Sequence, residues 1–165
     1  MEFTAHWTIL TWCLFHTLAQ QTHTPDFPII GKELLEKIRT LCHNLACSMC
    51  TNHATEYFKT VDLDTIQTHQ DLIDFFWKFH NNVNTTKEYE VTPHEVFPHD
   101  KLNIYRCFNV KQLFREIDIY FQKETIEELA KSTPENPYEP YDTKYYKDLE
   151  NFYDKNRNHF VVSKI

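Results

Sequence analysis

The scarcity of glycine is the feature that most restricts the fold of this chain. Gly31 is the one glycine among its 165 residues. Phosphate-binding loops of the P-loop and dinucleotide-binding types need several glycines, so both kinds of site are excluded. Few glycines and few clusters of turn residues also argue against an all-β fold. We therefore predict an all-α protein.

Apolar residues recur at helical spacing along the first half of the chain. Their period predicts a first helix over about residues 3–20, a second before the CSMC stretch, a third that opens there and a fourth that ends near HNNVN. A loop is expected through Pro25 and Pro28, and Thr68 and Asp71 have the spacing of a capping box. Four helices in this half predict a small bundle.

The second half of the chain is expected to add further helices to this bundle. We predict a helix after an Asn109 N-cap and a short last helix over about residues 144–160. A proline-rich linker near residues 133–141 separates them. This organisation predicts a first domain of residues 1–100 and a C-terminal helical extension of residues 101–165.

Charge and hydropathy exclude several classes of partner. The formal net charge of −7 disfavours a protein that binds nucleic acid by neutralising phosphates. No apolar run approaches the roughly 18 residues of a membrane-spanning helix, so no membrane contact is expected. The N-terminal segment lacks a basic region and carries Glu2, which favours a helix over a signal peptide. We therefore expect the cytosol or another compartment that is reached without secretion.

The sequence LACSMCTNH, residues 45–53, contains the cysteine pair that most suggests chemistry. The spacing of Cys47 and Cys50 lets a disulfide close with little backbone rearrangement, and a helix N-terminus lowers the pKa of a cysteine. Cys42 and His53 add further ligands, so a zinc site made of all four residues is the alternative. The segment predicts either a redox-active pair or a helical zinc-binding interaction module.

Two further motifs lie on the predicted helices on either side of the cysteine pair. Trp12 and His16 are four residues apart and therefore share one face of the first helix. His80, Asn81 and Asn84 fall within one turn of the fourth helix. Each motif alone has a structural interpretation as core or as a polar helix end, but the three occur together and in order.

This combination resembles the Erv/ALR family of flavin-dependent sulfhydryl oxidases. The family pattern is W-x-x-x-H, then C-x-x-C-x-x-H, then H-N-x-V-N, and all three are present. The sequence HWTILTW also resembles the start of family members from large cytoplasmic DNA viruses, although Thr8 and Ile9 replace their Gly-Pro. The resemblance covers about residues 5–90, and no second cysteine pair supplies a shuttle arm.

The resemblance implies a four-helix bundle that holds FAD, followed by the additional C-terminal helices. Catalytic roles fall to Cys47 and Cys50, and no metal ligand is implied. The implied cofactor contacts are Trp12, His16, Cys50, His53, His80, Asn81, Val83, Asn84 and Lys87. Substrate thiols would exchange with Cys47, Cys50 would pass electrons to FAD, and oxygen would leave as hydrogen peroxide.

Partners and location are also expectations from the resemblance. The partners are protein thiols or dithiols, with a thioredoxin-like carrier among them, together with oxygen and a second copy of the chain in a homodimer. The expected location is the cytoplasm, which for a viral protein means the infected-cell cytoplasm and the virion, with the mitochondrial intermembrane space as the alternative. The C-terminal half either covers the bundle or supplies Cys107 as a shuttle thiol.

Overall fold

The computed structural model describes residues 6–86 and 98–163, and this part of the chain is helical. Its six α-helices are α1 (Trp7–Gln21), α2 (Phe27–Cys42), α3 (Ser48–Lys59), α4 (His69–Thr86), α5 (Val110–Lys131) and α6 (Lys144–Lys155). Short 3-10 helices cover Thr24–Asp26, Leu63–Thr65, His99–Cys107 and Arg157–His159. The described residues form no β-strand beyond a single bridge between Thr22 and Phe160. The all-α prediction is confirmed.

Side-chain caps encoded in the sequence set the start of two helices. Thr68 Oγ1 accepts a hydrogen bond from the Asp71 N–H at 3.1 Å, and the Asp71 carboxylate accepts one from the Thr68 N–H at 3.1 Å. This reciprocal pair is the predicted capping box, and it opens α4. At the start of α5, the Asn109 side chain accepts from the Gln112 N–H at 3.0 Å. Both predicted caps are confirmed.

The prediction of a loop through Pro25 and Pro28 is wrong at its second proline. α2 begins at Phe27, so Pro28 lies in its first turn. The first N–H groups of a helix have no partner within the helix, so the missing N–H of proline costs no hydrogen bond there. Pro25 similarly lies at the start of the 3-10 helix Thr24–Asp26. The connection between α1 and α2 is therefore shorter than expected.

Gly31 lies inside α2, where it allows a close contact with Phe27 and forms no turn. A Cβ at this position would lie 2.4 to 2.8 Å from ring atoms of Phe27, one turn earlier. The Phe27 side chain is buried, so its ring fills the space that a larger residue 31 would need. None of the described residues has a positive φ. Their turns therefore do not need glycine, which agrees with its scarcity in the sequence.

The C-terminal helices pack on the first two helices of the bundle. α5 lies against α1, and α6 lies against α2. Buried apolar side chains from both halves of the chain form one hydrophobic cluster, which includes Leu14, Ile38, Ile117 and Leu149. Burying each such side chain contributes about 1.5–3 kcal/mol. The division of the chain near residue 100 stays a prediction. In residues 6–86 and 98–163, no helix has the length and apolar character needed to cross a membrane.

Candidate functional site

Cys47 and Cys50 lie at the N-terminus of α3. Cys47 is the N-cap residue, and its Sγ accepts a hydrogen bond from the Cys50 backbone N–H at 3.2 Å. This donor and the positive end of the helix both stabilise negative charge on the sulfur. The two side chains are half-buried. The geometry therefore suits a thiolate that a substrate can reach.

An apolar cavity of about 180 Å³ borders the cysteine pair. Four of the residues that the resemblance assigns to the cofactor line it: Trp12 from α1, Cys50 and His53 from α3, and Val83 from α4. Three motifs that are separate in the sequence therefore meet around one space. Its lining is mostly carbon, so water inside it would find few hydrogen-bond partners.

Rings from the first and third motifs stack beside this cavity. The centroids of Trp12 and His80 are 4.1 Å apart, and their planes differ by 7°. His16 Nε2 and His80 Nδ1 are 2.9 Å apart, so one of these nitrogens donates and the other accepts. Tyr105 stacks on His16 with centroids 5.0 Å apart. Because no third ring fits between Trp12 and His80, a planar ligand here has to stack on an outer face.

Burial keeps His16 neutral in this stack. The side chain is 3% exposed. Desolvation, together with the positive charge that His80 can carry, lowers the pKa of His16 from 6.5 to about 3. A neutral imidazole has one donor and one acceptor nitrogen. The hydrogen bond between His16 and His80 therefore forms without burying a charge.

Asn81 follows His80 on α4 and has an unsatisfied polar atom. Its Oδ1 is buried and has no hydrogen-bond partner in the described part of the chain. A buried oxygen without a partner costs about 1–3 kcal/mol, so it favours a ligand that offers an N–H or O–H donor. Asn84 is half-buried on the next turn of α4. Lys87, which the resemblance also assigns to the cofactor, lies outside the described residues.

The alternative zinc site is not supported by the geometry. Among residues 6–86 and 98–163, no three histidine, cysteine, aspartate or glutamate side chains converge in a way that could hold a metal ion. The set Cys42, Cys47, Cys50 and His53 is therefore not a ligand cluster. Cys42 is 1% exposed, and burial raises the pKa of its thiol. It is an unreactive thiol in the wall of the cavity.

Two tyrosines near the site were missed by the sequence patterns. Tyr105 stacks on His16 from the 3-10 helix His99–Cys107. Tyr146 of α6 places its hydroxyl 2.7 Å from Oγ1 of Thr11, a residue that lines the cavity. Neither tyrosine belongs to a motif. No local signal could have indicated these contacts, because each joins segments that are far apart in the sequence.

The other two cysteines lie outside the cavity. Cys13 is half-buried, and its pKa is raised by burial and by the charge of Glu116. Cys107 is exposed, and its Sγ donates to the Ile104 carbonyl at 3.0 Å. Neither residue lines the space beside Cys50. A shuttle role for Cys107 stays a prediction.

Comparison with known proteins agrees with these motifs. A sequence profile of the Erv1 / Alr family matches residues 9–103. A protein of Invertebrate iridescent virus 6, whose name describes an FAD-linked sulfhydryl oxidase, is 33% identical over 84 residues, covering 47% of this chain and 76% of the relative. No solved structure matches the chain significantly. Because the profile spans more than half of the chain and includes all three motifs, this protein belongs to the Erv1/Alr family.

Proposed function

We propose that this protein is an FAD-dependent sulfhydryl oxidase that forms disulfide bonds in protein substrates. One observation carries the proposal: Cys50 of the CxxC pair shares an apolar cavity with Trp12, His53 and Val83. These are residues that the family resemblance assigns to the flavin. Membership of the Erv1/Alr family and a viral relative named for this activity support the same conclusion.

The described residues suit FAD. A flavin ring combines an apolar edge with a polar edge that carries an N–H donor and carbonyl acceptors, and the buried Asn81 Oδ1 accepts no hydrogen bond within the described residues. The cavity volume of about 180 Å³ is smaller than the roughly 300–1,000 Å³ of pockets that hold a whole ligand. It therefore accommodates only a part of a dinucleotide. The residues that would hold FAD are Trp12, His16, Cys50, His53, His80, Asn81, Val83 and Asn84, with Lys87 following them.

The reaction begins with thiol exchange at Cys47. A substrate thiolate attacks Cys47 Sγ in the Cys47–Cys50 disulfide, so the S–S bond breaks and Cys50 leaves as a thiolate. A second substrate thiolate then attacks the substrate sulfur of this mixed disulfide, and Cys47 leaves as a thiolate. The Cys50 N–H is placed to stabilise that charge. The substrate departs as a disulfide, and the pair holds two electrons as a dithiol.

The next step is transfer of these two electrons from the cysteine pair to the cofactor. When bound, FAD would supply the acceptor for the two electrons of the dithiol, with molecular oxygen as the final acceptor and hydrogen peroxide as its product. Cys50 is half-buried and borders the cavity, whose lining is mostly apolar. Because His16 is neutral near neutral pH, it adds no charge beside the Trp12–His80 stack. The chain's own residues thereby separate substrate exchange from cofactor contact.

An absorbance spectrum of the purified protein tests the proposal. We expect a visible flavin band that bleaches when a dithiol is added without air and returns when oxygen is admitted. A colourless protein that takes up no FAD would contradict the oxidase function. Bleaching without recovery in oxygen would support oxidation of thiols by the flavin and reject oxygen as the electron acceptor.

Partners and location are proposed on the same basis. The substrates are protein thiols or dithiols, with a thioredoxin-like carrier as one form of them, and the active form is a homodimer. The location is the infected-cell cytoplasm and the virion, since the similar protein is viral, with the mitochondrial intermembrane space as the alternative. Light scattering of the purified protein tests the dimer, and fractionation of cells that express the protein tests the location.

A further inference from the structure

The part of the chain that follows the family match, after residue 103, contacts the loop that leads to Cys47. This loop joins α2 to α3, and its peptide group between Asn44 and Leu45 is held at both polar atoms. The Tyr141 hydroxyl donates a hydrogen bond to the Asn44 carbonyl. On the other side, the Leu45 N–H donates to Thr51 Oγ1 at 3.0 Å. We call this group the loop peptide.

Tyr141 is itself held in place. It is half-buried, and its ring centroid lies 4.8 Å from that of Phe121 on α5. Burial raises the pKa of the Tyr141 hydroxyl, so the group stays protonated and can donate. The Asn44 carbonyl oxygen therefore accepts from a hydroxyl whose position is fixed by packing.

The same C-terminal segment also contacts the wall of the cavity. Tyr146 is 4% exposed, and its hydroxyl lies 2.7 Å from Thr11 Oγ1. Because Thr11 Oγ1 donates its own proton to the Trp7 carbonyl at 2.7 Å, Tyr146 is the donor in this pair. Two tyrosines five residues apart therefore contact the cysteine loop and the wall of the site beside it.

We propose that Tyr141 is a positioning residue for the redox pair. Together with Thr51 it fixes the loop peptide, and so the position of Cys47 Sγ against the N–H of Cys50. The inference rests on the proposed function and gives the C-terminal extension a part in it. Cys47 caps α3 from an extended backbone, and two hydrogen bonds on one upstream peptide restrict the rotations that would move it. Releasing this peptide weakens the contact between Cys47 Sγ and its donor.

The reduction potential of the cysteine pair tests this role. The substitution Tyr141→Phe removes the hydroxyl and keeps the ring. The protein is equilibrated in glutathione buffers without air, its thiols are trapped by alkylation, and peptide mass spectrometry counts Cys47 and Cys50 in each state. Because Cys47 Sγ of the reduced pair loses the hydrogen bond from the Cys50 N–H, the equilibrium constant for reduction should fall roughly three- to tenfold, as expected for one hydrogen bond. For a two-electron couple this is a potential about 14–30 mV more negative.

Two further substitutions make the test specific. Tyr138 lies in the same linker, but its hydroxyl donates to Glu124 of α5 at 3.5 Å. Tyr138→Phe is therefore the matched control and should leave the potential unchanged. Thr51→Val frees the other polar atom of the loop peptide and should shift the potential in the same direction as Tyr141→Phe. The double variant should shift it by less than the sum, since either loss releases the same peptide.

Each outcome decides for or against the inference. An unchanged potential in Tyr141→Phe, or an equal shift in Tyr138→Phe, would overturn it. If circular dichroism shows that Tyr141→Phe does not fold, Thr51→Val decides, and an unchanged potential in that variant overturns it as well. Failure of the oxidase function would show separately, as wild-type protein whose flavin does not bleach with dithiol, because the potential is measured from the thiols alone.

Discussion

Acidification should destabilise this protein through His16. The pKa of this buried imidazole is lowered from 6.5 to about 3, first by desolvation and then by the charge of His80. Since the folded state disfavours the charged form, the unfolded chain binds more protons at acid pH. The stability is complete above a pH of about 6.5, falls as the pH drops below that value, and stops falling near the folded-state pKa of about 3. At about 1.4 kcal/mol per pH unit, the free energy of unfolding falls by about 2 kcal/mol between pH 7 and pH 5.

The assay compares the wild type with His16→Phe. This substitution keeps a ring between Trp12 and Tyr105 but removes the titrating group. Urea unfolding of the FAD-free proteins is followed by circular dichroism at both pH values, because His16 is among the residues that would hold FAD and a bound ligand would stabilise the two proteins unequally. The loss of unfolding free energy on acidification should be larger in the wild type by about 2 kcal/mol, because groups that do not contact residue 16 contribute equally to both proteins.

A neighbouring substitution controls for general loss of stability. Phe15→Leu alters a buried residue on the same helix and changes no titratable group, so its cost should be the same at both pH values. Equal pH dependence in the wild type and His16→Phe would refute the reasoning. It would mean that His16 becomes charged without cost, and therefore that the buried contact with His80 does not hold in solution.

Three further predictions concern the site and the single glycine. Cys50→Ser should abolish flavin reduction by dithiols while FAD stays bound, and Cys47→Ser should mainly block substrate exchange; full bleaching of Cys50→Ser in stopped-flow absorbance would reject these roles. Trp12→Ala should give colourless protein, and normal FAD occupancy measured after denaturation would place the cofactor elsewhere. Gly31→Ala should cost about 1–3 kcal/mol through overpacking against Phe27 and gain about 1 kcal/mol in helix propensity, which is a net fall in urea-unfolding free energy of up to about 2 kcal/mol; a stabilised variant would contradict this contact.

Local signals in the sequence were sufficient to predict most helices. The caps at Thr68 and Asn109 involve atoms only a few residues apart, so the sequence contains the whole interaction. Pro28 shows where such signals fail. Proline is equally compatible with a loop and with the first turn of a helix. The burial of Phe27 at the start of α2 is a tertiary feature that its local sequence does not contain.

The candidate site was predictable to the extent that its residues belong to motifs. Trp12, Cys50, His53 and Val83 were named from the resemblance, and the structure places all four around one cavity. Their roles toward the cofactor stay predictions. Tyr105 was not predicted, because its contact with His16 depends on how a 3-10 helix packs on α1.

The sequence by itself determined the all-α class, the approximate positions of the six α-helices and the residues of the three motifs. These properties depend on the helical period and on hydrogen bonds between residues about four positions apart. Only the tertiary structure decided that α5 and α6 cover α1 and α2, and that Tyr141 and Tyr146 reach the cysteine loop and the cavity wall. Such contacts join residues far apart in the chain, and they form only where many buried side chains pack together at once.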